Sequence, residues 1–385
     1  MAEDFDIIIY GATGFTGRLV ADYVARAYPD GLRWAMAGRS LAKLEEVRAE
    51  MGIGGDVPLV TAEADDPASL RAMCARTKVV ITTVGPYQLH GSNLVAACAA
   101  TGTAYVDLCG EPGWMREMID RHHEKAKTSG ARIVFSCGFD SIPFDLGVLT
   151  LQEAAVKRFG KPAPRVKCRV RTMKGGFSGG TAASLKATVA AAARNPSLVM
   201  LLTDPFALTP GHSGPHQPSG LLPEFDTTIN AWVAPFIMAA INTKNVHRTN
   251  FLLGQPWGDI VYDEMVVAGL GDMGKAAAEA LAKLNPLASD KGPKPGEGPS
   301  REERESGHYD VLFVGCMEDG GRLEAVVTGD KDPGYGSTSK MLAESAVCLV
   351  RDVGGAGGIW TPGALMGTTL RDRLVANAGM TFTAH

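Results

Sequence analysis

The feature that most constrains this chain is a glycine-rich turn that follows the first predicted strand. Ile7–Tyr10 is a short uncharged run rich in β-branched residues, which is typical of a strand buried on both faces of a parallel sheet. Gly11, Gly14 and Gly17 follow at three-residue spacing, and from Thr16 onward apolar residues recur at helical spacing. A strand, a glycine turn and a helix in this order predict a dinucleotide-binding unit.

Each glycine has a separate task in such a unit. Gly11 permits the tight turn, Gly14 lets the backbone approach a pyrophosphate, and Gly17 lets the helix pack closely on the sheet. The free N–H groups and the dipole at the helix N-terminus favour an anion. Because the spacing differs from the commoner Gly-x-Gly-x-x-Gly, an ordinary βα turn is the alternative interpretation. The predicted phosphate-binding residues are Gly11, Ala12, Thr13, Gly14, Phe15, Thr16 and Gly17.

Length and composition restrict the class of protein. The chain has 385 residues, enough for about two domains, and its hydrophobic and charged fractions are those of a soluble globular protein. A net charge of −4 gives no sign of nucleic-acid binding. Without Cys-x-x-Cys spacing or a signal peptide, we expect reduced thiols and a cytoplasmic location. We expect no metal site, because His212 and His216 have metal-like spacing but no third ligand.

Six predicted strands alternate with helices over the first 136 residues, which predicts a complete doubly wound (Rossmann) parallel sheet in an α/β protein. The second strand ends at Gly38, where such a sheet places the residue that reads the adenosine ribose. Arg39, Ser40 and Lys43 offer cationic and hydroxyl groups suited to a 2′-phosphate, so they favour NADPH. An exposed arginine at the start of the next helix is the alternative.

The carboxyl ends of the later strands are predicted to face the cofactor, because ligands bind at that edge of a doubly wound sheet. Asp65 could contact the adenine, although capping of the next helix is an equally good explanation. The other residues predicted to lie along the cofactor are Thr83, Gly85, Pro86, Cys109, Gly138 and Phe139.

Three residues near the predicted nicotinamide position are candidate catalytic residues. Tyr87 follows the fourth strand and is the first candidate for a proton donor, with stacking on the cofactor or packing beneath it as alternatives. Asp140 and Ser141 follow the sixth strand and are the next candidates. Either one could instead cap the helix that Pro143 begins.

Several motifs resemble those of the saccharopine dehydrogenase-like oxidoreductases, and more narrowly the branch that includes the mycobacterial trans-acting enoyl reductases. They are Gly-Ala-Thr-Gly-Phe-Thr-Gly-Arg at 11–18, Ala-Gly-Arg at 37–39, Val-Gly-Pro-Tyr at 84–87, Tyr-Val-Asp-Leu-Cys-Gly-Glu at 105–111, Gly-Phe-Asp-Ser-Ile-Pro-Phe-Asp at 138–145, Asp332–Met341 and Ile359–Pro362. The resemblance implies NADPH use and a second, mixed α/β domain. We therefore expect a cofactor domain at 1–146, a substrate domain at 147–335 with an exposed insertion at 285–308, and a helical segment at 336–385 that returns to the first domain.

The second half contains further elements. Ile229–Ile241 is the longest apolar run and is predicted as a core helix, with the wall of an apolar pocket as the alternative. Thr203–Pro223 is rich in Pro and Gly, which predicts a long loop. Tyr309–Cys316 and Leu323–Val327, joined by a Glu-Asp-Gly-Gly turn, predict a hairpin.

Three functions fit these residues. The first is an NADPH-dependent reductase of an unsaturated, lipid- or polyketide-like acyl substrate, with Leu198–Ile241 as its pocket wall; by resemblance, the acyl chain could be carrier-bound. The second is a saccharopine-type imine reductase acting on an amino-acid adduct, for which Arg169, Arg171 and Arg194 could bind carboxylates. The third is a non-enzymatic NADPH-binding regulator. A homodimer and transient membrane contact, without stable insertion, are compatible with these functions.

Overall fold

Two seven-stranded sheets organise the chain in a computed structural model that describes residues 4–176, 179–284 and 296–385. The strands are β1 (Phe5–Tyr10), β2 (Trp34–Gly38), β3 (Leu59–Thr61), β4 (Thr77–Thr82), β5 (Ala104–Val106), β6 (Arg132–Val134), β7 (Arg165–Lys174), β8 (Glu224–Asp226), β9 (Ala231–Pro235), β10 (Val261–Gly269), β11 (His308–Cys316), β12 (Arg322–Gly329), β13 (Gly358–Trp360) and β14 (Met380–Ala384).

Helices connect these strands, and a π-helical turn, Pro333–Ser337, precedes the longest C-terminal helix. The helices are α1 (Phe15–Ala27), α2 (Leu41–Glu50), α3 (Pro67–Cys74), α4 (Tyr87–His90), α5 (Ser92–Thr101), α6 (Pro112–Ser129), α7 (Ile142–Phe159), α8 (Gly179–Ala192), α9 (Pro196–Thr203), α10 (Ala239–Leu252), α11 (Gly271–Ala282), α12 (Arg301–Ser306), α13 (Thr338–Arg351), α14 (Pro362–Leu365) and α15 (Gly367–Asn377).

The first sheet has the order β13-β6-β5-β4-β1-β2-β3, and all its strand pairs are parallel. Every residue of β1 is buried. Ile7 and Ile9 contribute to the hydrophobic cluster on one face, whereas Ile8 and Tyr10 contribute to the cluster on the other. Helices therefore cover both faces, which confirms the predicted doubly wound α/β fold.

The second sheet has the order β14-β12-β11-β7-β10-β9-β8. Its β7–β10 pair is parallel and its other pairs are antiparallel, so the sheet is mixed. The predicted hairpin is confirmed by the eight residue pairs between β11 and β12. Helix α7 packs against these two strands and leads the chain from the first sheet into the second.

Two predicted segments differ from the structure. The prediction of a helix over Ile229–Ile241 is wrong, because the run forms strand β9 and only its last residues enter α10. Val233 points into the core and Pro235 lacks the N–H that a continuous helix would need. Of the predicted irregular stretch 285–308, residues 285–295 lie outside the described residues. Residues 301–306 form the short helix α12, which begins with a capping box of Ser300 and Glu303.

The C-terminal part of the chain contributes to both sheets. Helix α13 packs against α1, β4 and β5 of the first sheet. Strand β13 then extends the first sheet beside β6, and β14 extends the second beside β12. In the part of the chain that the structure describes, no helix combines the length and apolar composition needed to cross a membrane.

Candidate functional site

The glycine turn forms an open cradle at the N-terminus of α1. Gly11 has a φ of +90°, a conformation that favours glycine, and its carbonyl accepts a hydrogen bond from Gly14 N at 2.9 Å. A Cβ on Gly17 would overlap the Gly11 carbonyl oxygen and lie 2.7 Å from its carbon. Gly14 occupies the cap position without a side chain, so the first amides of α1 remain available. This geometry fits a pyrophosphate.

The groups predicted to bind the 2′-phosphate of the adenosine ribose differ in whether they already have partners within the protein. Arg39 is exposed and has no hydrogen-bond or ion-pair partner among the described residues. The Ser40 hydroxyl caps α2 by accepting from Lys43 N at 3.3 Å, and Lys43 Nζ forms an ion pair with Glu46 at 2.8 Å. Arg39 is therefore the cation best placed for a 2′-phosphate. Asp65 is exposed in the loop between β3 and α3. The side chain that caps α3 is that of its neighbour, Asp66.

The carboxyl ends of β4 and β5 lie beside this cradle. The Thr83 hydroxyl donates to the Gly11 carbonyl at 3.3 Å, which joins the two loops. A Cβ on Gly85 would lie 3.8 Å from Ser184 Oγ, so α8 passes close to Gly85 and Pro86. Cys109 is fully buried, and its sulfur accepts from Glu111 N. Burial raises the pKa of this thiol, so Cys109 is a packed thiol and not a reactive one.

Tyr87 is buried in the hydrophobic core on one face of the first sheet. Its side chain is 4% exposed, and its ring stacks on Trp114 at a centroid distance of 5.5 Å. The hydroxyl donates to the Thr82 carbonyl at 3.2 Å and accepts from Leu108 N. Burial raises the Tyr87 pKa well above its usual range. These contacts favour the packing alternative, and the role of Tyr87 as a proton donor stays a prediction.

The loop after β6 carries the other two candidate catalytic residues. Phe139 contributes its ring to an aromatic core with Tyr309, 4.9 Å away, and its backbone N donates to Thr338 Oγ1. Asp140 Oδ1 is buried and has no partner among the described residues. Desolvation raises the Asp140 pKa to about 7. Ser141 occupies the N-cap position before α7, but its hydroxyl does not cap the helix. Asp140 thus has an unpartnered carboxyl oxygen, and the roles of both residues at the cofactor stay predictions.

Helix α10 and strand β10 of the second sheet supply a polar cluster that meets this loop. Asn245 Nδ2 donates to Ser141 Oγ at 2.8 Å, and Asn242 Nδ2 donates to Glu264 Oε2 at 2.9 Å. The other oxygen of Glu264 accepts from the Tyr262 hydroxyl at 2.7 Å. Burial raises the Glu264 pKa to about 8. The sequence gives only a weak indication of this cluster. That indication consists of a glutamate within an apolar strand and two asparagines at positions i and i+3 of a helix.

The three arginines that could bind substrate carboxylates in an imine reductase differ in their partners within the protein. Arg169 is fully buried and bonds Asp226 and Asp263, each at 2.7 Å. Arg171 forms a paired contact with Asp310. Arg194 is exposed just after α8. Two of the three guanidinium groups are therefore occupied by carboxylates of the chain itself.

Known proteins resemble this chain both in its N-terminal part and over nearly its whole length. The family model of the saccharopine dehydrogenase NADP binding domain matches residues 7–134. A putative trans-acting enoyl reductase of Mycobacterium tuberculosis is 41% identical, with 97% of this chain and 96% of the relative covered. The trans-acting enoyl reductase of Mycobacterium leprae is 36% identical with the same coverage.

Two solved structures share the fold at low sequence identity. The L-glutamate-forming saccharopine dehydrogenase of Saccharomyces cerevisiae has a TM-score of 0.57 at 12% identity and covers 99% of each chain. The homospermidine synthase of Legionella pneumophila, in complex with NAD, has a TM-score of 0.55 at 10% identity, with 100% of this chain and 92% of that one covered. At such identities the likeness concerns the fold alone.

Proposed function

We propose that this chain, which belongs to the saccharopine dehydrogenase-like family of the trans-acting enoyl reductases, reduces the carbon–carbon double bond of an acyl substrate with NADPH. The chain is an NADP-dependent oxidoreductase by its family. Full-length similarity to the enoyl reductases is the observation that carries the choice of substrate.

The residues present fit the cofactor. The Gly11–Gly17 turn would hold the pyrophosphate at the N-terminus of α1, and Arg39 would hold the 2′-phosphate. Thr83, Gly85 and Gly138 would lie along the dinucleotide at the carboxyl edge of the sheet. When bound, NADPH supplies the hydride that goes to the β-carbon of the substrate.

The remaining chemistry belongs to the chain. Hydride addition leaves an enolate oxygen that needs hydrogen-bond donors, and an α-carbon that needs one proton. Asp140 retains a proton near neutral pH, because burial raises its pKa to about 7. We assign the α-carbon proton to Asp140, with solvent restoring it after each turnover.

We place the acyl chain against α8 and α9. Gln88 Nε2 donates to Thr188 Oγ1 at 3.2 Å, which ties α8 to α4 just after Gly85. Helix α9 packs on α6, which begins at the carboxyl edge of the sheet. The side chains of Val199 and Met200 on α9 are 46% and 73% exposed. Such an apolar surface beside the active-site edge suits a long acyl chain delivered as a carrier-bound thioester.

The function is tested by measuring NADPH oxidation with enoyl thioesters of several chain lengths, attached either to coenzyme A or to an acyl carrier protein. Keto acids paired with amino acids form the comparison panel. We expect turnover of enoyl thioesters, with a higher kcat/KM for the carrier-bound form. Turnover of the keto acid and amine pairs alone would move the function to imine reduction, and NADPH binding without turnover of any panel member would favour the regulator.

A substitution of Arg39 tests its assignment to the 2′-phosphate of NADPH. Arg39→Asp should weaken NADPH binding at least about tenfold, because a charge-assisted contact to the 2′-phosphate is lost, and should leave NADH binding almost unchanged. Lys43→Ala is the matched control, since Glu46 already pairs with that ammonium group. Fluorescence titration gives both dissociation constants. An equal loss for the two cofactors would remove Arg39 from the 2′-phosphate site.

A further inference from the structure

Two asparagine side chains of α10 each have one partnered and one unpartnered end. Asn242 and Asn245 are fully buried and share one face of the helix. Their Nδ2 groups donate to Glu264 and Ser141, whereas neither Oδ1 atom has a partner among the described residues. Buried polar atoms are almost always hydrogen-bonded, so two unpartnered amide ends on one face of a helix indicate a ligand.

The polarity of both contacts can be reversed. The two ends of an amide have nearly the same shape, so a half-turn of the side chain keeps the contact and exchanges donor and acceptor. A protonated Glu264 can donate to Asn242 Oδ1, and the Ser141 hydroxyl can donate to Asn245 Oδ1. Both amides then present N–H groups on the unpartnered side, where a negatively charged oxygen can accept them.

The amides lie where α10 passes over the carboxyl edge of the first sheet. Ser141 belongs to the loop after β6, and a Cβ on Gly110, just beyond β5, would lie 4.0 Å from Ile241 Cγ2 of α10. This is the edge at which a doubly wound sheet binds the reactive end of its dinucleotide. Because both amides are buried, a substrate reaches them only when the covering elements move apart.

We propose that Asn242 and Asn245 bind the thioester oxygen of the acyl substrate and stabilise the enolate, and that Glu264 is the positioning residue that sets which end of the Asn242 amide faces that oxygen. The inference rests on the proposed function and adds the residues that carry the developing charge. In the productive state Glu264 is protonated and Asn242 donates. In the unproductive state the Glu264 carboxylate takes the N–H group and Asn242 offers an oxygen that repels the enolate.

The surroundings of Glu264 determine the pH at which the two states exchange. Burial is the main cause that raises its pKa to about 8, and the charges of Asp140 and Asp263 raise it further. The hydrogen bonds from Asn242 and Tyr262 act in the opposite direction. Tyr262 also contacts the buried thiol of Cys168. The donating state is therefore populated below about pH 8 and lost above it.

The test combines kinetics with a binding measurement on the full-length protein. Asn242→Ala and Asn245→Ala should each lower kcat with an enoyl thioester about 100-fold, the usual effect of losing one enolate-stabilising donor. Thr243→Ala, on a partly exposed position of the same helix, is the control. Calorimetry with NADP⁺ and a saturated acyl thioester should show about tenfold weaker binding at pH 9.5 than at pH 7. Glu264→Gln should abolish this pH dependence, because a glutamine side chain does not ionise.

The outcomes separate the two levels of the proposal. Wild-type protein that binds NADPH but reduces no enoyl thioester overturns the proposed function, and this assignment with it. An active wild type whose folded Asn242→Ala and Asn245→Ala variants keep their kcat overturns the assignment alone. So does a Glu264→Gln variant whose thioester affinity keeps the wild-type pH dependence. Circular dichroism of each variant establishes that it is folded.

Discussion

Gly14 and Gly17 belong to one turn but differ in the space that the fold leaves for a side chain. A Cβ on Gly14 would lie 3.4 Å from the Gly11 carbonyl oxygen, an ordinary contact, and its φ of −78° suits any residue. A Cβ on Gly17 would instead overlap backbone atoms of Gly11 and come within 2.9 Å of Ala12 Cα. The fold therefore requires the second glycine, whereas the first is required only by the proposed contact with the cofactor.

This difference predicts distinct effects of the two alanine variants. Gly17→Ala should lower the free energy of unfolding by about 1–3 kcal/mol, as overpacking against a rigid backbone does, and should also weaken NADPH binding. Gly14→Ala should unfold like the wild type yet bind NADPH at least about tenfold more weakly, because the methyl group faces the pyrophosphate. Urea denaturation and fluorescence titration give the two quantities. A Gly14→Ala variant with unchanged affinity would place the pyrophosphate elsewhere.

The residues of the cofactor half could be predicted from local pattern, whereas those of the substrate half could not. A glycine turn between a strand and a helix fixes its own geometry, and the Gly11 and Gly17 conformations follow from it. Asn242 and Glu264 lie 22 positions apart on a helix and a strand, and nothing local to either predicts their contact. The position of Tyr87 after β4 makes it a candidate proton donor in the sequence. The direction of its hydroxyl, however, depends on contacts with Trp114 and Leu108 that the local sequence does not predict.

At the scale of elements, short apolar runs that alternate with helical patterns predict the first sheet well, because its central strands are buried on both faces. The error over Ile229–Ile241 arose because a buried strand followed directly by a helix gives one continuous apolar run. Pro235 and the pairing of β9 with β8 and β10 separate the two elements. Helix α12 was missed for a different reason: it is six residues long and lacks an apolar face, so its capping box is its main local signal.

Helix α13 illustrates how one buried charge can orient several elements. Glu344 is fully buried and accepts from the Tyr23 hydroxyl at 2.6 Å and the Tyr28 hydroxyl at 2.7 Å. Arg373 of α15 donates to it at 2.9 Å. One carboxylate thus fixes α1, which carries the glycine turn, against two C-terminal helices.

Removing this charge should loosen the arrangement. Glu344→Gln should lower the free energy of unfolding by about 3 kcal/mol, because Arg373 keeps a partly buried charge with one fewer carboxylate. Glu153→Gln, which removes a 44% exposed partner of Arg371, should cost less than about 1 kcal/mol. Urea denaturation of both variants gives the comparison. Equal and small effects would mean that the phenol and amide groups around Glu344 hold the helices without its charge.

For the whole molecule, several carboxyl groups are buried in the interior. Burial raises the pKa values of Asp107, Asp140 and Asp145 to about 7, and that of Glu264 to about 8. Asp140 and Glu264 come from different sheets and lie at the candidate site. Two of the four carboxyl groups whose pKa burial raises to about 7 or 8 therefore belong to the proposed site.

These shifts determine the sign of the pH dependence of stability. A carboxyl group whose folded pKa exceeds its unfolded value binds a proton more tightly in the folded state, so its contribution is complete below the unfolded pKa and is lost as pH rises through the folded pKa. The free energy of unfolding should therefore fall between about pH 5 and pH 8. Buried His247, with its pKa lowered to about 3, opposes this trend only below about pH 6.5.

Urea denaturation across this range tests the expectation, and the slope is assigned with variants. Glu264→Gln should make the fall between pH 7 and pH 8 less steep, because Glu264 has the highest of these pKa values and keeps most of its proton at pH 7, whereas Glu153→Gln should leave the fall unchanged. A wild-type stability that rises steadily from pH 5 to pH 8 would mean that these carboxyl groups are ionised in the folded protein. In that case Asp140 could not hold the proton for the α-carbon, and the Asn242 amide would be held in its unproductive orientation at neutral pH.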